Sequence, residues 1–413
     1  MKKKKMILPK SKITLNKIFL FILVDLFCKG ILFILIPFFK NNLSINDFNI
    51  YATNFLVIGL LSIFVGLGIN AAILPFWKKE DLKREYNIYS AIISLFIFSF
   101  PIILVLSLVF SNLFLTSNFL LIVISSLLLV FFQILLLIAR IKENLKIYSF
   151  LNLFHSFFII IGSYLFIDEL NYDTRIVISS TVIALLCFII VVKYFSALKH
   201  IIGNISLKLN KIFFSYSFPV ILFLLTSWLR SGYERVFAVK IVSSEELSDL
   251  LYSGQLATPI LALGGAIIVN IGPNLHEIVR IGDVKKYYKI NFSYIILAPF
   301  LAVLYVMCLK FIMPYLKLSI PQNTFAWILM TNSLILASFT GITSVYMYNK
   351  KLTKELAIIG LFNGLIILVV YYVLSLLNCS LLTYSIIYNI TILLFLATIL
   401  IFVKNRENKN KYH

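Results

Sequence analysis

The chain has 413 residues, of which 61% are apolar or aromatic and only 13% charged, with a mean hydropathy of +0.99. A soluble domain of this length needs roughly twice that share of charge to wet its surface, so a water-soluble globule is excluded. Lys and Arg number 37 against 17 Asp and Glu, a net charge of +20; in a membrane chain such a surplus is first a topology signal and only then a nucleic-acid footprint.

A helix crosses the hydrocarbon core in about 20 apolar residues. Twelve such runs predict twelve spans: Asn16 to Phe39, Ile50 to Phe76, Ile88 to Phe110, Phe119 to Ile141, Ser149 to Ile167 and Arg175 to Ala197, then Ser215 to Val242, Leu250 to Asn270, Ile290 to Met313, Thr324 to Tyr348, Leu356 to Leu376 and Leu381 to Val403. With both termini placed in the cytoplasm, 29 of the 37 basic residues fall in cytoplasmic segments, and only Lys40, Arg175 and Lys317 fall outside. That asymmetry fixes the orientation and removes nucleic acid as a partner. The Met-Lys-Lys-Lys-Lys start imitates a secretory signal, but the run behind it is long and lacks an Ala-x-Ala site, so it reads as an uncleaved first helix. Cys28, Cys187, Cys308 and Cys379 sit in or beside apolar runs and form neither a disulfide framework nor a zinc spacing.

The chain reads as a duplication. Leu15-Asn16-Lys17-Ile18-Phe19 opens span 1, and Leu209-Asn210-Lys211-Ile212-Phe213 precedes span 7; Gly59, Gly66, Gly68, Asn70 and Pro75 of span 2 answer Gly254, Gly264, Gly265, Asn270 and Pro273 of span 8. Alone, each glycine only allows close helix contact; matched interruptions in corresponding helices point to cavity-lining elements. The expected fold is all-α and integral to the membrane, with a lobe of spans 1 to 6 (residues 1–204) and a pseudo-symmetric lobe of spans 7 to 12 (residues 205–413).

Ionisable groups at membrane depth are costly and therefore functional candidates. Span 1 carries Asp25 and Lys29; span 7 carries Arg230, Glu234, Arg235 and, near its outer end, Lys240. Asp25 and Lys29 stand four residues apart, as do Arg230 and Glu234, so each pair shares a helix face. Lys29 lies roughly 20 Å from Asn16 along the helix, and Arg230 sits at comparable depth. Structural ion pairs and snorkelling are the competing reading, which Arg140 and Lys310, near span ends, fit best. Several cations around one cavity suit an anionic substrate, because a guanidinium grips phosphate with two parallel hydrogen bonds. Asp25 or Glu234 would then exchange a proton or hold Na⁺. Asn54, Asn70, Gln255 and Asn270 are polar candidates for the cavity wall, with interhelical hydrogen bonding as their alternative role. His155 reads as a packing residue.

From Glu234-Arg235 through a short acidic loop to Leu251-Tyr252-Ser253-Gly254-Gln255-Leu256-Ala257 and Pro273, and from Asp47-Phe48-Asn49-Ile50-Tyr51 to Gly66-Leu67-Gly68, the sequence resembles the Wzx-type polysaccharide flippases of the MATE-like MOP superfamily. It departs from them in having Glu234 where Asp is more usual. The resemblance implies a flippase, not an enzyme, that moves a polyprenyl-pyrophosphate-linked oligosaccharide from the cytoplasmic to the outer leaflet of a bacterial inner membrane, for O-antigen, capsule or exopolysaccharide. It needs no cofactor, and its implied partners are the glycolipid, membrane lipids, coupling H⁺ or Na⁺, and glycan assembly proteins. The alternatives are a multidrug or organic-cation antiporter of the same superfamily, a lipid-linked peptidoglycan precursor flippase, or a membrane glycan polymerase or transferase; the excess of bases over acids in spans 1 and 7 disfavours the first.

Overall fold

The computed structural model describes residues 15–66, 101, 105, 118–166, 171–193, 207–229, 243–261, 275, 278–315, 318–350, 352–377 and 380–411. Within them every regular element is helical: α1 (Leu15–Asn42), α2 (Ile45–Gly66), α3 (Phe119–Ile141), α4 (Leu145–Leu165), α5 (Thr174–Lys193), α6 (Leu207–Trp228), α7 (Ser244–Leu256), α8 (Val284–Tyr315), α9 (Thr324–Asn349), α10 (Thr353–Leu376) and α11 (Leu381–Lys411). These are eleven of the twelve expected spans; the third lies almost wholly outside the described residues. Seven of the described helices are long and apolar enough to cross a bilayer.

Their faces are sorted for lipid rather than water. On α8, Ala298, Ala302, Val306 and Met313 are buried, while Ile296, Phe300, Met307 and Phe311 are exposed on the other side. Both sets recur at steps of four and seven, so one helix turns a stripe that includes two alanines to its neighbours and large apolar residues outward. Several hydroxyls on these helices donate to a carbonyl one turn back, as in Ser125 to Leu121 O at 2.6 Å and Ser163 to Ile159 O at 2.7 Å, since lipid offers no partner.

Helix contacts in the first half recur in the second. The α1–α4 pairing reappears as α6–α10, α2–α3 as α7–α9, α3–α5 as α9–α11, α4–α5 as α10–α11 and α3–α4 as α9–α10. Across the halves α2 meets α7 and α6, and α1 meets α7. The α6–α10 seam rests on Gly360 and Gly364, a small-xxx-small pair. A Cβ on Gly360 would stand 2.6 Å from Thr226 Oγ1, and one on Gly364 would stand 3.2 Å from Thr226 Cγ2. Thr226 is β-branched and its hydroxyl already donates to Phe223 O at 2.8 Å, so it yields poorly. Gly360→Ala is expected to cost about 1–3 kcal/mol by overpacking, read as a lowered Tm in detergent, and Thr226→Ala in the same chain is expected to restore most of it. An unchanged Tm in the single variant would mean the seam is slack.

At the end of the bundle where α1 turns into α2, several connections converge: Asn49 Nδ2 donates to Ser244 O at 3.1 Å, Tyr252 Oη to Ser319 O at 3.0 Å, and Gln322 N to Asp249 Oδ2 at 2.8 Å. The segment expected as an acidic loop before span 8 is instead the first turns of α7. Ser243 caps it, accepting from Glu246 N at 3.3 Å while Glu246 Oε2 accepts from Ser243 N at 3.4 Å. This reciprocal box satisfies two free backbone donors and sets Glu245 and Glu246 against the positive end of the helix dipole.

Candidate functional site

Three helices each turn one face toward a cavity of about 270 Å³ between the two halves. Lys29, Leu32, Phe33 and Ile36 come from α1, Ala52, Phe55 and Leu56 from α2, and Leu251, Gly254, Gln255, Thr258 and Leu261 from α7 and its continuation. Steps of three, four and seven make each set a single helical stripe. Arg175, the second residue of α5, completes the wall. Lys29 and Arg175 are the charged groups among these residues, and no carboxylate is among them.

Among the described residues, Arg175 is held by aromatic side chains rather than by an acid. Its Nη1 donates to the Tyr51 hydroxyl, and its guanidinium lies 4.7 Å from the centre of the Phe55 ring and 5.9 Å from that of Tyr51. Tyr51 is fully buried and stacks on Phe39 with centroids 4.7 Å apart and planes within 5°. The turn before α5 aims the arginine. Asn171 Oδ1 accepts from Asp173 N at 2.9 Å and from Thr174 Oγ1 at 3.0 Å, an Asx-type turn, and Asn54 Nδ2 reaches from α2 to Asp173 Oδ1 at 3.2 Å. Burial raises the Asp173 carboxyl above its ordinary range, with a hydrogen bond to Asn118 opposing. Asn54 thus fixes the α5 entry, a role closer to interhelical hydrogen bonding than to cavity wall. Lys29 is exposed on the cavity face of α1 and donates no hydrogen bond to a described residue.

Gln255 differs from the other described amides. Both its side-chain Nε2 and Oε1 are buried and have no hydrogen-bond partner among the described residues. Just beyond it α7 ends at Leu256, turns at Ala257 and resumes over residues 258–261. The carbonyls at this irregularity are taken by Thr258 Oγ1, which donates to Gln255 O at 2.6 Å, and by Tyr305 Oη, which donates to Leu256 O at 2.6 Å. Irregular backbone at membrane depth is tolerated where it is buried in protein or lines a cavity.

One turn beyond the cavity, toward the α1–α2 end, the halves are tied together. Lys40 Nζ donates to Ser248 Oγ and lies 4.9 Å from the Phe48 ring centre and 5.8 Å from that of Tyr252, two rings that meet edge to face at 5.9 Å. Burial lowers the Lys40 ammonium below its ordinary pKa, and Asp249 opposes the shift. Asn49 adds its bond to Ser244 O. Nearer the middle of the bundle Trp228 Nε1 donates to Leu56 O at 2.9 Å.

Asp25, expected to face Lys29, has partners elsewhere. Its Oδ2 accepts from Arg140 Nη2 at 2.8 Å, its Oδ1 accepts from the Tyr148 hydroxyl, and the same Nη2 lies 2.6 Å from Tyr148 Oη. Arg140, expected to snorkel, therefore ties α1 to the α3–α4 hairpin. Helical spacing puts positions 25 and 29 on one face, but a guanidinium in reach on a neighbouring helix outcompetes a lysine that points into a cavity. Arg140→Ala is expected to lower stability by about 2–3 kcal/mol through the unpaired carboxylate. Asp25→Asn in addition is expected to return most of that, so equal melting temperatures of the single and double variants would refute the coupling. His155 Nε2 lies 3.0 Å from Ser179 Oγ and its ring 4.9 Å from that of Phe132, in keeping with a packing residue.

Arg230, Glu234, Arg235, Lys240, Asn70 and Asn270 lie outside the described residues. Of the other expected positions, Lys29 and Gln255 meet at the cavity, whereas Asp25 and Asn54 do not line it. By sequence position alone Arg175 is an outside charge at the start of span 6. The signal that finds it is the aromatic pair Tyr51 and Phe55, spaced i to i+4 on span 2 and able to seat a guanidinium.

No protein-family model matches the chain, and no curated protein matches it. Solved structures do. An outward-facing multidrug resistance MATE family transporter of the MOP superfamily superposes with a TM-score of 0.60 at 14% identity, covering 96% of each chain. A MATE in complex with MaD5 gives 0.56 at 13% identity, and one in complex with MaL6 gives 0.55 at 14%; each covers 96% of this chain and 97% of its own. The chain therefore has the MATE-type fold, consistent with the two pseudo-symmetric helical lobes of the sequence reading.

Proposed function

We propose that the chain is a flippase that carries a polyprenyl-pyrophosphate-linked oligosaccharide from the cytoplasmic to the outer leaflet by alternating access, for O-antigen, capsule or exopolysaccharide synthesis. The observation that carries this reading is the charge of the inter-lobe cavity, where Lys29 and Arg175 stand with no acid among the described lining residues. A diphosphate finds there a bidentate guanidinium and an ammonium free to follow it, and the apolar faces around them leave the lipid tail to the bilayer. With the basic segments in the cytoplasm, the α1–α2 end lies outside, and the Lys40 tie would have to part for the cavity to open toward that side. Span 7 would add Arg230, Arg235 and Lys240 to the same wall. Asp25 or Glu234 would couple the cycle to H⁺ or Na⁺, Asp25 by leaving Arg140. Glycan assembly proteins would take over the product.

The structural relatives described as multidrug resistance transporters favour a second reading, an organic-cation antiporter. A cavity walled by two cations repels such a substrate. The two readings separate in vesicles containing the purified chain. Labelled farnesyl-diphosphoryl-N-acetylglucosamine is expected to cross leaflets at least about tenfold faster than in empty vesicles, while ethidium stays unmoved under a proton or sodium gradient. Ethidium transport without glycolipid transfer would overturn the flippase in favour of the antiporter.

A further inference from the structure

We infer that the Gln255 carboxamide determines specificity by hydrogen-bonding the neutral, hydroxyl- or amide-bearing group beside the anion, so that the cavity prefers a glycosyl diphosphate to a bare diphosphate. The inference rests on the flippase reading of the same cavity.

Amides that serve structure in this chain show what satisfaction looks like. Asn389 Nδ2 donates to Leu329 O at 2.9 Å and Ser385 O at 2.8 Å, its Oδ1 accepts from Asn332 Nδ2 at 2.6 Å, and Asn291 Nδ2 donates to Tyr287 O at 2.9 Å. Gln255 has neither half of such an arrangement, although both its polar atoms are buried. The carbonyls of Gln255 and Leu256 accept from Thr258 and Tyr305 rather than from the Gln255 side chain. A buried amide without partners is costly, and the cost is recovered when a ligand supplies a donor and an acceptor together. A sugar hydroxyl or an N-acetyl group does so; a diphosphate offers acceptors alone and is matched to Lys29 and Arg175. Sites built to hydrogen-bond a ligand reject the analogue that lacks the group, because their own polar atoms then stay unpaired.

The test uses the full chain in detergent and two lipid probes, farnesyl diphosphate and farnesyl-diphosphoryl-N-acetylglucosamine. The wild type is expected to bind the sugar-bearing probe about tenfold more tightly, the worth of one well-made hydrogen bond in a dry site. Gln255→Met, matched in length and apolar, is expected to lose that preference while its affinity for farnesyl diphosphate stays within about twofold. Gln255→Glu is expected to weaken both probes, since a carboxylate then faces the diphosphate. A preference retained in Gln255→Met, a wild type without preference, or a Gln255→Glu variant that binds farnesyl diphosphate as the wild type does would each overturn the inference and leave the flippase reading standing. Failure of the wild type to bind either probe, or binding that Arg175→Ala does not weaken, would instead remove the flippase reading and this inference with it.

Discussion

Replacing Arg175 with Ala is expected to slow glycolipid transfer by about a hundredfold while the amount of folded protein in the membrane stays within about twofold. The first figure follows from losing a charge-assisted, bidentate grip on phosphate in a water-poor cavity, worth about 3 kcal/mol. The second follows from how the arginine is held: it leans on the Phe55 and Tyr51 rings and on the Tyr51 hydroxyl, so among the described residues its removal strands no buried carboxylate. Arg175→Lys keeps the charge but loses the planar fork, and an intermediate loss of about tenfold is expected. Tyr51→Phe removes the hydroxyl that orients the guanidinium while keeping the stack on Phe39, and a loss of a few fold is expected. The reading is leaflet transfer in vesicles, normalised to protein recovered by size exclusion. Wild-type transfer in Arg175→Ala would show that the cavity cation does not hold the substrate.

Tying Asn49 to Ser244 is expected to stop transfer altogether. In a chain whose four cysteines are replaced, Asn49→Cys and Ser244→Cys place two thiols where the side chain of one residue now meets the backbone of the other at 3.1 Å, within reach of a short, reducible bifunctional thiol reagent. If the α1–α2 end must part for substrate to leave, quantitative cross-linking drives transfer to the level of empty vesicles and reduction restores it. Transfer that persists in fully cross-linked protein would show that this end never opens, and the exit path would lie elsewhere. Lys40→Met complements the cross-link. It removes the bond to Ser248 while an apolar side chain still fills the space between Phe48 and Tyr252, and it is expected to raise the labelling rate of a cysteine at Ala52, one turn deeper on α2.

The helices were legible because lipid imposes a length and an apolar composition that composition windows detect directly, and α9, expected over Thr324 to Tyr348, runs Thr324–Asn349. Duplication was legible for a similar reason, since a repeated glycine and proline pattern implies repeated contacts, and the α1–α4 and α6–α10 seams correspond. Partner choice was not legible. Asp25 and Lys29 share a face by spacing, yet the carboxylate's partner stands 115 residues away on α3, and only helix packing brings the two together. Arg175 escaped because a cation at the start of a span, after Asn171 and Asp173, has the look of a loop charge, and its meaning depends on two rings more than 100 residues earlier. Gln255 was visible as a polar residue in an apolar run; its lack of partners is a tertiary fact that no single helix contains.

The tie at the α1–α2 end has a further consequence in populations. Hydrogen bonds among the described residues join the halves there and toward the middle, from Lys40, Asn49 and Trp228. At about 1 kcal/mol each, these bonds alone would favour the closed arrangement by about 3 kcal/mol, about a hundredfold in population, were nothing formed in exchange. A ligand shifts such an equilibrium only by binding the open arrangement more tightly than the closed one, here by roughly two orders of magnitude. A headgroup that engages Arg175 but adds nothing on opening would occupy the cavity and go nowhere, so a tight but uniform binder of this cavity would be an inhibitor rather than a cargo.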